Sequence, residues 1–204
     1  MMKGKGLFIL ALSLLTACSV TPIFENACDV GNCKLAGKFV YDKDVYTLTG
    51  AGTNMWERSD EFFMVWKEVA GDFTLSARIA FEGEGINAHR KIGLIIRESL
   101  EADAKYADVA VHGDGLTSLQ YRQEKGDITR EIKSDNQMPD HIVLQRVGNA
   151  IMMKTGIGRY PEQPDATLEL VMPHKCYVGL FICSHDADVL ETGYFSDVRL
   201  EIKN

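Results

Sequence analysis

From about residue 38 onward, apolar and polar positions alternate with a period of two, in short runs separated by turn residues. Between 73 and 81, Phe73, Leu75, Ala77, Ile79 and Phe81 alternate with Thr74, Ser76, Arg78 and Ala80, which gives a strand one buried face. In the run 91–97, Ile92, Leu94 and Ile96 share one face, and Lys91, Gly93, Ile95 and Arg97 share the other. Leu119 and Tyr121 likewise oppose Ser118, Gln120 and Arg122. The same reading predicts strands in KFVYD, VYTLTG, FFMVWK, YADVAVH, DITREIK, HIVLQRVG, AIMMKTG, TLELVM, YVGLFICS and GYFSDVRLEI. Lys43-Asp44 and Gly148-Asn149 are two-residue hairpin signals, and Gly113-Asp114-Gly115 and Gly126-Asp127 mark further turns. No segment combines helical periodicity with caps. Strands recurring every eight to twelve residues predict an all-β, two-sheet antiparallel sandwich or jelly roll over residues 27–204, as one domain.

The first seventeen residues break this pattern. Lys3 and Lys5 precede the apolar run Leu7–Leu15, which is too short for a membrane span of ~20 residues and has the order of a secretory signal peptide. It ends in Leu15-Thr16-Ala17-Cys18, similar to the lipobox of bacterial lipoproteins. The expectation is a signal peptide over 1–17, lipidation of Cys18, a tether over 18–26, and a place in the bacterial cell envelope, on the outer membrane rather than the inner.

Charge sharpens this. The chain carries −7, and removal of residues 1–17 takes two lysines, leaving 20 basic against 29 acidic residues, or −9. That balance argues against a nucleic-acid partner and makes the acyl anchor, not an acidic protein face, the membrane contact. An exported chain permits disulfides. Cys28 and Cys33 flank a loop that one bridge could close, whereas Cys176 and Cys183 are seven residues apart on one predicted strand, over ~20 Å, and cannot pair with each other. No cysteine or histidine spacing matches a strong zinc pattern.

The strand faces carry the candidate chemistry. If the second faces of 91–97 and 118–122 line one surface, Lys91, Arg97, Gln120 and Arg122 offer donors to sugar hydroxyls or carboxylates; the alternative is a solvated face, or an arginine buried against an internal aspartate. Trp56, in a predicted loop, could stack on a sugar ring or plug the end of a sandwich. A structural calcium could join Asp29 and Asp197 if the first and last strands pair, or use Asp114 in its Gly-Asp-Gly turn; the alternative is that each accepts local backbone bonds. No catalytic set emerges: the E-x-D-x-E run expected of a jelly-roll glucanase is missing, as are a GxSxG elbow and a phosphate-binding glycine loop.

In order along the chain, Asp29-Val30-Gly31, Leu35-Ala36-Gly37, YTLTGAGTNMW from Tyr46, Asp60-Glu61-Phe62, Gly71-Asp72-Phe73, Ala77-Arg78, Lys91-Ile92-Gly93, Ile96-Arg97-Glu98-Ser99-Leu100, VAVHGDGLTSLQYR from Val109, YVGLFICSH and Phe195-Ser196-Asp197-Val198 form a series. It resembles the bacterial concanavalin A-like lectin/glucanase domain family, whose members occur alone or fused to TolB-like propellers or glycosidase modules. The resemblance implies a jelly roll in an exported, carbohydrate-related protein, here a stand-alone lipoprotein, and carries no catalytic residue set. A non-catalytic polysaccharide- or oligosaccharide-binding lipoprotein is the leading expectation, an adaptor for a protein partner in the envelope the second. A glycoside hydrolase with an unrecognised carboxylate pair is the third.

Overall fold

The computed structural model describes residues 21–203, so the expected signal peptide and Cys18 lie outside the described residues. Among the described residues, sixteen strands make up the fold. The first eight are β1 (Asn26–Val30), β2 (Lys38–Asp42), β3 (Val45–Gly52), β4 (Met55–Trp56), β5 (Ser59–Asp60), β6 (Phe62–Ala70), β7 (Asp72–Phe81) and β8 (Lys91–Arg97). The rest are β9 (Tyr106–His112), β10 (Thr117–Arg122), β11 (Arg130–Lys133), β12 (His141–Val147), β13 (Ala150–Gly156), β14 (Ala166–Glu169), β15 (Lys175–Cys183) and β16 (Asp186–Lys203). Two seven-stranded antiparallel sheets, in the orders β1-β6-β15-β8-β9-β10-β11 and β14-β13-β12-β7-β16-β3-β2, face each other, and β4–β5 is a separate small hairpin. No helix occurs among the described residues.

The predicted alternation is the packing rule. Ile92, Leu94 and Ile96 from β8, Val109 and Val111 from β9, and Leu119 from β10 meet Phe73, Leu75, Ala77 and Ile79 from β7 in one core between the sheets. Lys43 and Asp44 both take positive φ, 50° and 63°, as a tight hairpin between two right-twisted strands requires. The domain begins earlier than the expected tether boundary at residue 26. Phe24 is fully buried, and its backbone N–H donates to the Tyr46 hydroxyl at 2.9 Å. β1, not foreseen as a strand, follows at once and pairs with β6. Cys176 and Cys183 are both buried on β15, and Cys28 and Cys33 are free thiols.

The first sheet has a second core on its outer face. Phe62, Met64, Ile95, Tyr106, Ala110, Phe181 and Cys183 point away from the sandwich and pack with Val30 and with Met55 from the β4–β5 hairpin. The segment from Thr53 to Glu61 therefore forms a roof over part of that face. Gly52 lets the chain turn into it: its φ is 131°, and a Cβ there would collide with the Glu61 carbonyl. At the far end Asp60 points into the second core. Its Oδ2 accepts from Arg97 Nη1 at 2.7 Å and Arg122 Nη1 at 2.8 Å, and its Oδ1 from Arg122 Nη2 at 2.7 Å. All three side chains are wholly buried.

Further guanidinium donors go to backbone carbonyls. Arg97 donates to the carbonyls of Ser99 and Glu101, and Arg122 to those of Asp127 and Ala104. Both planes lie about 5 Å from the Tyr106 ring centre, at 5.3 and 5.0 Å. Asp60→Ala strips two buried cations of their only carboxylate, so it is expected to destabilise the domain by about 3–5 kcal/mol, measured by urea denaturation. A loss under ~1 kcal/mol would mean the backbone carbonyls alone hold the arginines.

Candidate functional site

Beyond the roof, the outer face of the first sheet carries a cleft of about 220 Å³. Strand parity builds its floor and sides. Lys91 on β8 stands directly opposite His112 on β9, and Gln120 on β10 lies between Asp108 on β9 and Glu131 on β11. The roof adds Asn54 and Trp56, and loops at the sheet end add His89, Leu116 and His185. Three of the five expected ligand contacts, Trp56, Lys91 and Gln120, thus line one cleft.

Arg97 and Arg122 do not reach it. They share the expected face but sit under the roof, closed around Asp60, so the buried-arginine alternative is the one the structure adopts. The expected calcium ligands are not brought together either. Asp29, on β1 at the edge of the first sheet, accepts from the Gly37 N–H at 3.0 and 3.2 Å. Asp197 lies on β16 in the other sheet, at 2.8 Å from Arg199, because β16 pairs with β3 and β7 and not with β1. Asp114 holds its own turn through the Leu116 N–H at 3.0 Å. Among the described residues no three histidine, cysteine or carboxylate side chains are gathered as a metal set.

Hydrogen bonds define the state of the cleft groups. Lys91 Nζ donates to Asn54 Oδ1 at 3.1 Å, tying the roof to β8. His112 Nδ1 lies 2.9 Å from the Leu116 carbonyl, which can only accept, so the proton is on Nδ1 and Nε2 carries the lone pair. That lone pair faces Gln120 Nε2 at 3.4 Å. Burial, with Lys91 nearby, pushes the His112 pKa down to about 4, so the ring is neutral at physiological pH. Burial also lowers His185. The His89 ring stands 6.2 Å from that of His112 and 5.5 Å from that of His185, at the mouth.

Beneath the cleft is a group the sequence reading passed over. Asp108 is fully buried, and neither carboxyl oxygen has a hydrogen-bond partner; Ser118 Oγ and Gln120 Oε1 are also unpartnered. Burial drives the Asp108 pKa far above the usual carboxylate range, the Asp60 charge adds to the rise, and Lys91 opposes it. Only the parity of YADVAVH, which puts Asp108 on the face of His112, could have signalled it, and a lone aspartate in a strand has no spacing motif.

Neither a family model nor a curated protein sequence matches this chain. Its backbone does match solved structures. A functionally unknown protein from Saccharomyces cerevisiae superposes with a TM-score of 0.63 at 12% identity, over 82% of this chain and 92% of that one. The carbohydrate-binding module CBM66 from Bacillus subtilis gives 0.55 at 12%, over 88% and 97%. A family 7 alginate lyase gives 0.53 at 11%, over 81% and 83%. The fold is the concanavalin A-like jelly roll that the sequence resemblance implied.

Asp108 makes stability depend on pH in a definite direction. Its folded pKa lies above its unfolded value of about 3.9, so its stabilising effect is complete below pH ~4 and is lost as pH rises toward the folded pKa. Asp108→Asn keeps the shape and cannot ionise. Its melting temperature should therefore exceed that of the wild type by a margin that grows between pH 4 and pH 8. A margin that shrinks with pH would show Asp108 to be ionised in the fold. By the same reasoning, the His112 ring signals in an NMR titration should stay those of neutral imidazole down to about pH 4.

Proposed function

We propose that the chain is a non-catalytic carbohydrate-binding module, exported and held on a bacterial membrane through acylated Cys18, that takes its saccharide in the cleft between Trp56 and Lys91. The observation that carries this reading is the convergence in one cleft of an aromatic side chain, an ammonium, two carboxamides and three imidazole rings. The half-buried Trp56 indole offers an apolar surface for a sugar's C–H face. Lys91, Asn54 and Gln120 offer directional polar contacts around it. A cleft below the ~300 Å³ of drug-sized pockets suits a single ring more than a long stretch of polymer. That a fold neighbour is named as a carbohydrate-binding module supports the reading by analogy alone. The anchor rests on the order of charged start, apolar run and LTAC at the N-terminus.

A thermal-shift screen of the soluble domain against polysaccharides and oligosaccharides tests the binding. A glycan at 100 times its Kd adds about 2.7 kcal/mol, a rise of several degrees for a domain of this size. Trp56→Ala and Lys91→Ala should each abolish the rise, whereas Lys175→Ala, in an exposed pair with Glu68, should leave it. A rise that survives both cleft variants would put the ligand elsewhere, and none with any glycan would favour a protein partner. For the anchor, Cys18→Ser should move the protein from the membrane fraction to the soluble fraction; continued membrane association would overturn lipidation.

A further inference from the structure

Directly beneath the cleft, the outer face holds more hydrogen-bonding capacity than the protein uses. Asp108 Oδ1 and Oδ2, Ser118 Oγ and Gln120 Oε1 are four buried polar atoms without partners, on side chains at most 1% exposed. The β9–β10 register sets Asp108 directly across from Gln120, and Ser118 across from Ala110, so all three side chains rise from one patch of the outer face. Gln120 is also a wall of the cleft, and its amide nitrogen is turned to His112, which leaves its oxygen for something else. Buried polar groups in native proteins are nearly always paired, so a cluster of orphans beside a cleft marks the place of a missing partner.

We propose that Asp108, Ser118 and Gln120 form the floor of a subsite that seats a hydroxyl group of an uncharged sugar. The inference deepens the carbohydrate-binding reading and rests on it. The donor and acceptor inventory selects the ligand class. Gln120 Oε1 can only accept, the Ser118 hydroxyl can do both, and a neutral Asp108 carboxyl donates once and accepts otherwise. A hydroxyl that donates to Gln120 Oε1 and accepts from Ser118 and the protonated Asp108 oxygen meets three of these four atoms. A uronic acid carboxylate brings acceptors alone and a charge that a dry floor does not solvate, and an amino sugar brings a cation beside Lys91. The groups acting on Asp108 are Lys91 and Arg97 from β8, Asp60 from β5 and Tyr106 on its own strand, with Gln120 between it and Glu131 of β11.

The test uses the mature protein, the neutral glycan giving the largest thermal shift, and its deoxy analogues, with affinities from calorimetry between pH 5 and pH 10. Ser118→Ala should weaken binding at least tenfold, and one deoxy analogue should lose as much against the wild type but little against Ser118→Ala. Wild-type affinity should fall at alkaline pH as Asp108 loses its proton, and Asp108→Asn should flatten that profile. If Trp56→Ala abolishes binding while both floor variants stay within twofold of wild type, the floor is wrong and the binding reading stands. A ligand-bound crystal structure showing an internal water only at these atoms would overturn the floor in the same way. Preference for uronates or amino sugars over neutral sugars would overturn the ligand class. Binding of no glycan at all would bring down the carbohydrate reading itself, and this inference with it.

Discussion

One carboxylate organises the outer face of this protein. Asp60 lies under the roof with two wholly buried arginines on it, and each arginine comes from a strand that also serves the cleft. Arg97 ends the strand that begins with Lys91, and Arg122 is two residues beyond Gln120 on the same face. A buried ion pair is a poor source of net stability compared with apolar packing of the same volume, but it is specific about where its members sit. Here it settles where the roof comes down. That in turn decides which part of the face becomes second core and which part stays open as cleft.

The fold was legible because a period of two survives even where both faces are buried. The alternation of Phe73 to Phe81 and of Ile92, Leu94 and Ile96 gave the inner face, and the Lys43-Asp44 turn gave a register. What escaped was short or covered on both sides. The two-residue strands of the roof are too short to show a period, the NACDV of β1 does not alternate, and Phe24 looked like tether because nothing in sequence says that Tyr46 waits for its N–H.

The site was legible by half, for a reason that lies in the roof. Parity put Lys91, Arg97, Gln120 and Arg122 on one face correctly, but parity does not say which end of a face is covered. The arginines fell under the cover and Lys91 and Gln120 did not. The cleft histidines come from the turn before β8, the end of β9 and the bend between β15 and β16, far apart in sequence, so no spacing could join them. Asp29 and Asp197 failed to meet because adjacency of first and last strands is a property of the sheet order, and here those strands belong to different sheets.

The roof has one more consequence. Asn54 and Trp56 are walls of the cleft, and they belong to the same nine-residue stretch that carries Met55 into the second core and Asp60 onto the arginines. Besides Asp60, this stretch is fastened to its surroundings by backbone bonds such as Asp60 N–H to Ala102 and Thr129 N–H to Glu57. Lifting the stretch would strip Met55 from the second core and leave Arg97 and Arg122 buried without their carboxylate, so the walls of the cleft are tied to the ion pairs behind them. Anything bound between Trp56 and the sheet would meet a wall already set in place, and would spend little on ordering it.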